Sequence, residues 1–249
     1  RISDAVGLEL NDPAVAGVVV LHGTDAMEES SLLVNLQNSL TKPVVFTGAQ
    51  FTADHPDADG PANLAQAIET ALDPQNAAKG VLLSFGGRCL PAWGLYKLSA
   101  DAADAFRSVR PVLQASAPNL AAPVADIRVD IVAIHPGCDA THIDASLQAG
   151  AKGIVLAALG SGNANPDIAE VVKRCAERGV PVVVSSRVPE GRLVASYGGG
   201  GGGHDLVAAG AVHSSTLRPG QARILLAALL AGKSTAETIV SAFGEPLSL

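Results

Sequence analysis

The chain has 249 residues, 48% of them hydrophobic and 16% charged, and its 24 acidic residues against 17 basic ones give a net charge of −7. That balance belongs to a compact globular protein, and without any dense Lys/Arg block it argues against nucleic acid as a partner. The longest apolar runs, such as residues 153–159 and 224–231, fall well short of the roughly 20 residues that cross a bilayer, so no membrane role is expected.

Residues 4–11 read as the tail of a helix that enters the first strand. Strands are then predicted at 17–21, 43–47, 80–85, 130–134, 153–159 and 181–185, from continuous apolar, β-branched runs. Helical patterns lie between them at 27–40, 61–72, 143–149 and 167–178, and two closing helices follow at 219–231 and 235–243. Such alternation means a largely parallel sheet with helices on its faces. The first strand reads as buried on both faces. Pro61 behind Asp59-Gly60, and Pro166 behind Asn165, sit at or near first helical positions behind plausible caps.

From Val109 to Pro123, prolines at 111, 118 and 123 fall among short residues without periodicity, which reads as the end of one domain and a linker to the next. The predicted division is therefore an N-terminal domain over 1–110, a linker over 111–125 and a small doubly wound domain over 126–249. Cys89, Cys138 and Cys175 form no Cys-x-x-Cys or Cys/His cluster. They are expected to be small core residues, with neither a disulfide framework nor a metal site.

The chemistry-bearing segment is Gly17-Val-Val-Val-Leu21 running into His22-Gly23-Thr24-Asp25-Ala26-Met27-Glu28-Glu29. It puts Thr24 and Asp25 at the carboxyl end of a strand, beside a helix N-terminus with Glu28 and Glu29 in its first turn. Ligands of open α/β sheets collect there. Two uses are open for the pair: reaction chemistry, or capping of the helix.

A reactive threonine needs a base, and none of the six histidines stands in a nucleophile-like spacing. Lys97 follows the aromatic stretch Trp93-Gly94-Leu95-Tyr96. A lysine desolvated there would serve as base, whereas one laying its stem over Trp93 would keep its amine in water. Thr47-Gly48-Ala49-Gln50 and Gly160-Ser161-Gly162-Asn163-Ala164-Asn165 are further strand-end turns of small residues. Each is either a pocket lining or a plain turn. The tract Gly198 to Gly203 lacks a following Gly-Lys-Ser/Thr, so it reads as a flexible or close-approach loop rather than a phosphate cradle.

Taken together, His22 to Glu29, Pro43-Val-Val-Phe-Thr-Gly48-Ala49 and Ala58-Asp59-Gly60-Pro61-Ala62-Asn63-Leu64 resemble, in order and spacing, the signatures of bacterial-type L-asparaginases. The resemblance continues through Lys97, Gly160-Ser161-Gly162-Asn163, Ser185-Ser186-Arg187-Val188-Pro189 and Leu217-Arg218-Pro219-Gly220-Gln221-Ala222-Arg223, so it covers nearly the whole chain. It implies a two-domain α/β enzyme with a larger N-terminal mixed or parallel sheet domain and a smaller C-terminal doubly wound one. Such an enzyme assembles as a homotetramer of intimate dimers, without metal or organic cofactor. It hydrolyses the small molecule asparagine, and often glutamine, to the acid and ammonia.

In the family a first threonine, in a Thr-Gly-Gly-Thr segment, forms the acyl-enzyme. Thr24 corresponds to the second threonine, Lys97 to the lysine and Asp25 to the aspartate of the proton-transfer set, and that aspartate also holds the substrate amine. Ala49 corresponds to a residue whose carbonyl faces the substrate amide, and Asn163 to an asparagine reaching the site from the C-terminal domain across the intimate dimer.

Three departures qualify the match. No Thr-Gly-Gly-Thr segment occurs among these residues, nor does the carboxylate-gripping loop that precedes residue 17 in relatives. The family places both upstream of Arg1, so a front segment is expected; a chain without its first nucleophile would instead be an inactive amino-acid-binding module. The glycine tract stands where relatives often carry a partner-subunit acidic residue, which puts more of the amine recognition on Asp25. The cysteine pair of some secreted members has no counterpart near Asn11 or Thr41. That leans toward the cytoplasm and leaves the periplasm as the alternative.

Overall fold

The computed structural model describes residues 1–109 and 119–244, and the chain divides into two compact units, residues 1–121 and 122–249. Much of the predicted linker falls on residues 110–118, which lie outside the described residues.

The first unit runs α1 (Ile2–Asn11), β1 (Val18–Leu21), a 3-10 turn (Thr24–Ala26), α2 (Met27–Gln37), β2 (Val44–Thr47) and α3 (Gly60–Leu72). A second 3-10 stretch (Pro74–Lys79) leads to β3 (Val81–Phe85), β4 (Arg88–Pro91), β5 (Leu95–Lys97) and β6 (Phe106–Ser108). The sheet has the order β1-β2-β3-β4, with the first three strands parallel and β4 folding back antiparallel on β3. β5 and β6 form a separate antiparallel ribbon.

Side chains alternate across a strand, and β2 shows what that demands when both faces are covered. Val44 and Phe46 pack with Val6 and Leu10 of α1 and Met27 and Val34 of α2, while Val45 packs with Ala67 and Ala71 of α3. β2 is accordingly apolar up to Thr47 and buried throughout. β1 has the same composition and a different fate. Its residues Val18 to Val20 are only half-buried and Leu21 is 66% exposed, which corrects the expectation of burial on both faces. The reason is topological: β1 is an edge strand whose one strand partner among the described residues is β2.

The second unit runs β7 (Val129–Ala133), α4 (Thr141–Gln148), β8 (Gly153–Ala158), α5 (Pro166–Glu177), β9 (Val182–Ser186) and α6 (Gly203–Ala208). β10 (Val212–His213), α7 (Pro219–Ala231) and α8 (Ala236–Phe243) complete it. Its four strands are all parallel in the order β10-β9-β8-β7. Ile154, Leu156, Val182 and Val184 on one face pack with Ile143 of α4 and Ile168 of α5. The other face is covered by α7, so close that a Cβ at Gly153 would lie 2.8 Å from Leu226 Cδ2. Asn165 caps α5 by accepting the Ile168 N–H, with Pro166 in the first turn.

The α/β class, with a mixed N-terminal and a parallel C-terminal sheet, is as predicted. Cys138 and Cys175 are buried, but Cys89 is exposed, because β4 closes the open edge of its sheet. Among the described residues no helix is long and apolar enough to cross a membrane, and no group of His, Cys, Asp or Glu is arranged to hold a metal ion.

Candidate active site

β1 hands the chain to the site without a break: the His22 N–H still donates to Thr47 O on β2 at 2.9 Å, and the 3-10 turn Thr24–Ala26 then leads into α2. Neither the turn nor α2 has a side-chain cap, so Thr24 and Asp25 do not cap these helical segments. Instead the Lys97 Nζ donates to Thr24 Oγ1 at 2.8 Å and to Asp25 Oδ1 at 3.2 Å. Lys97 arrives from the last position of β5, and its side chain is 20% exposed whereas that of Asp25 is 99% exposed. The amine is thus committed to Thr24 rather than left in water above Trp93. Ion pairs as open as this one add about 0–1 kcal/mol to stability, so the contact does not hold the fold together. What it does is set an amine against a hydroxyl.

Under this pair sits Glu28, in the first turn of α2, whose Oε2 accepts the Lys97 backbone N–H at 2.6 Å. Burial pushes its carboxyl up from 4.5 to about 7; the neighbouring Glu29 adds to the shift, and the Lys97 N–H and ammonium oppose it. Sequence reading took Glu28 only for a first-turn acid, although its spacing of four from Thr24 stacks the two on one side of the helix start.

The adjoining strand end is locked from α3. A Cβ at Gly48 would overlap the His22 carbonyl oxygen, so only glycine lets the end of β2 run this close to the end of β1, with Ala49 next in line. Asp59 was expected to cap α3; its side chain makes no cap bond. It accepts instead the N–H groups of Gln50 and Phe51, each at 3.0 Å, and the Asn63 amide at 2.9 Å. Burial works to raise the Asp59 carboxyl, but these donors outweigh it and hold the group below its ordinary range. Asn63 Nδ2 also donates to Gly48 O at 3.0 Å, and its Oδ1 accepts the Gly86 N–H at 3.0 Å. Neither role was read from the sequence, where Asn63 carried no chemical signature beyond its place in a motif.

In the second unit, Asn163 lies in the loop at the end of β8, bridged to Leu159 through the Leu159 N–H and Asn163 O at 2.9 Å. Its side-chain Oδ1 accepts the Gly203 N–H at 3.1 Å, which leaves the amide nitrogen as the donor the residue can present. The glycine tract is a close-approach loop. A Cβ at Gly202 would overlap the Tyr197 carbonyl oxygen. The N–H groups of Gly200, Gly201 and Gly202 converge on Asp205 Oδ2 at 2.7, 2.8 and 3.1 Å. Led by that of Gly201, they hold the Asp205 carboxyl below its ordinary range. Of the five residues singled out in the sequence, Thr24, Asp25 and Lys97 therefore form one cluster, Ala49 lies two residues past the end of the adjoining β2, and Asn163 is fixed within the second unit.

The chain's two units each match a known domain. Residues 1–121 match the family model described as Asparaginase, N-terminal, and residues 128–243 match the Glutaminase/Asparaginase C-terminal domain. A probable L-asparaginase of Deinococcus radiodurans is 35% identical over 230 residues, covering 86% of this chain and 70% of that protein. A probable periplasmic L-asparaginase of Haemophilus influenzae is 31% identical, covering 84% of this chain and 64% of that protein. Among solved structures, a probable cytoplasmic L-asparaginase from Campylobacter jejuni superposes with a TM-score of 0.85 at 29% identity, covering 98% of this chain and 79% of that one.

Proposed function

We propose, from the premise that this chain belongs to the bacterial-type L-asparaginase family, that its protein hydrolyses the side-chain amide of asparagine to aspartate and ammonia. The observation that carries the reading is the 2.8 Å contact between the Lys97 amine and the Thr24 hydroxyl. A threonine hydroxyl is a poor acid and a poor base at neutral pH, and an amine in direct contact gives its proton somewhere to go.

The proposed sequence follows that pair. A threonine of the family's Thr-Gly-Gly-Thr segment, which does not occur among these 249 residues, attacks the amide carbon and forms the acyl-enzyme. The proton of the attacking hydroxyl is relayed through the Thr24 hydroxyl and the Lys97 amine to the departing nitrogen, which leaves as ammonia. Water then attacks the ester, its proton passing through the same pair to the departing threonine oxygen, which restores the starting state and releases aspartate. In this reading Asp25, almost fully open to solvent, receives the substrate's α-ammonium while holding the lysine from the other side. In this reading the Ala49 carbonyl faces the substrate amide, and the Asn163 amide nitrogen contributes from a second subunit of a homotetramer in the cytoplasm.

Ammonia release by the natural polypeptide tests the reading, with asparagine and glutamine as substrates. Thr24→Val and Lys97→Met should each abolish turnover without loss of fold, and near-native turnover in both would sink the assignment. Stoichiometric retention of asparagine without consumption by the unmutated protein would point instead to a binding module. One methylene separates the two amides, and a pocket discriminates such a difference by about 10- to 200-fold, so residual glutaminase activity is expected.

A further inference from the structure

We propose that Glu28 is the positioning residue for Lys97: its carboxylate takes the Lys97 backbone N–H and so fixes the point from which the lysine side chain reaches Thr24. The inference rests on the reading above, in which Lys97 carries the proton.

Lys97 closes a three-residue strand whose one strand partner among the described residues is β6. On the β6 side the chain is fastened by the Leu98 N–H donating to Ala105 O at 2.7 Å. On the opposite side the Lys97 N–H meets Glu28 Oε2 at 2.6 Å. The lysine amine then returns to Thr24 Oγ1 at 2.8 Å. Thr24 and Glu28 belong to one continuous turn and helix, four residues apart. A single segment therefore grips Lys97 at both ends, by its backbone through Glu28 and by its amine through Thr24. A lysine stem is otherwise a flexible four-carbon chain, and pinning both ends removes most of the freedom that would let the amine drift from the hydroxyl.

The chemistry of the gripping group supports this role over plain packing. An apolar side chain of similar size could fill the half-buried space under β5 without desolvating a charge. The chain keeps a carboxylate there against burial and against the like charge of Glu29 on the same helix, with the Lys97 N–H and ammonium on β5 as the opposing attractions. A charge-assisted hydrogen bond of this kind is about twice as strong as a neutral one.

The test compares Glu28→Ala, Glu28→Gln and Lys97→Met in the natural polypeptide by kcat and KM for asparagine, thermal melting and the pH profile of kcat. Glu28→Ala should lower kcat about 100-fold while KM moves less than about threefold, as befits a displaced proton carrier rather than a lost substrate contact. Glu28→Gln keeps an acceptor oxygen and should recover about tenfold of that loss. Ionisation of Glu28 strengthens its grip on the Lys97 N–H, so kcat of the native protein should rise through about pH 7, and Glu28→Gln should lack that rise. The inference is overturned by Glu28→Ala turning over within about twofold of the native protein, or by a folded Glu28→Gln as slow as Glu28→Ala. Should Glu28→Ala fail to fold, the Glu28→Gln pH profile decides, and an unchanged step near pH 7 overturns the inference. Lys97→Met separates the two claims: native turnover in that variant removes the proton-transfer reading itself. A dead Lys97→Met beside a fully active Glu28→Ala leaves that reading standing and removes only the role of Glu28.

Discussion

The two strand-end loops that carry the family's polar residues are built by opposite means. In the first unit the Thr24 and Glu28 side chains hold Lys97 from 69 to 73 residues away in sequence, one at its amine and the other at its backbone N–H. In the second, Asn163 is oriented by the backbone of a glycine tract packed against its own neighbours. A cluster of side chains can lose a functional group and keep its framework, because the framework is elsewhere. A loop whose shape depends on missing Cβ atoms cannot gain one without moving.

Lys97→Met has the largest expected effect. It should reduce ammonia release by at least about 1,000-fold with little change in melting temperature, and the Thr24→Val/Lys97→Met double variant should be scarcely slower than either single one. Loss of the cooperative melt in Lys97→Met would mean that the first loop, too, is held by its polar groups. Gly202→Ala is the converse experiment. Its Cβ would overlap the Tyr197 carbonyl, and a urea titration should show a loss of about 1–3 kcal/mol, as overpacking costs elsewhere. An unchanged midpoint would show that the tract yields without strain.

Glu28→Gln tests stability as well as rate. The folded-state carboxyl is raised from 4.5 to about 7, so folding is favoured while Glu28 is protonated, and that contribution fades as pH rises from the lower value through the upper one. The glutamine variant should therefore melt above the native protein at pH 8, with the gap closing toward pH 4.5; a lower melting temperature at pH 8 contradicts this. The smallest effect is expected from Asp205→Asn. The Asp205 carboxyl is held low by three backbone donors, so its contribution is present at neutral pH and disappears as pH falls through the lowered value. The variant should be slightly less stable than the native protein at pH 7 and indistinguishable from it in acid, read by melting at both pH values.

All six predicted strands, at 17–21, 43–47, 80–85, 130–134, 153–159 and 181–185, were found within about a residue, the edge strands β1 and β7 included, because each writes itself as an apolar, β-branched run of at least four residues. β5 and β6 escaped notice: each has three residues, too few to show alternation. Lys97 was nonetheless a candidate from its aromatic surroundings, yet its contact with Thr24 spans 73 residues and no local pattern encodes it. Glu28 and Asp59 were misread for one reason. Acidic residues at a helix start suit the dipole and the cap, and that common use masks an acid serving another segment. β1 was misjudged because composition records what a strand could bury, whereas its position at a sheet edge decides what it does bury.

Asn63 gives the first unit an unusual chemical vulnerability. Its amide nitrogen faces two oxygens, Gly48 O and Asp59 Oδ2, while its amide oxygen takes the Gly86 N–H, so one planar group ties together the chain ends leaving β2 and β3. Hydrolytic ageing of that amide to a carboxylate would turn the donor into an acceptor and set a second negative charge against Asp59. Both strand ends would lose their common tie at once. Burial within the first turn of α3 shields the group from such damage. A protein proposed to hydrolyse side-chain amides thus stakes the shape of its own site on one that must remain intact.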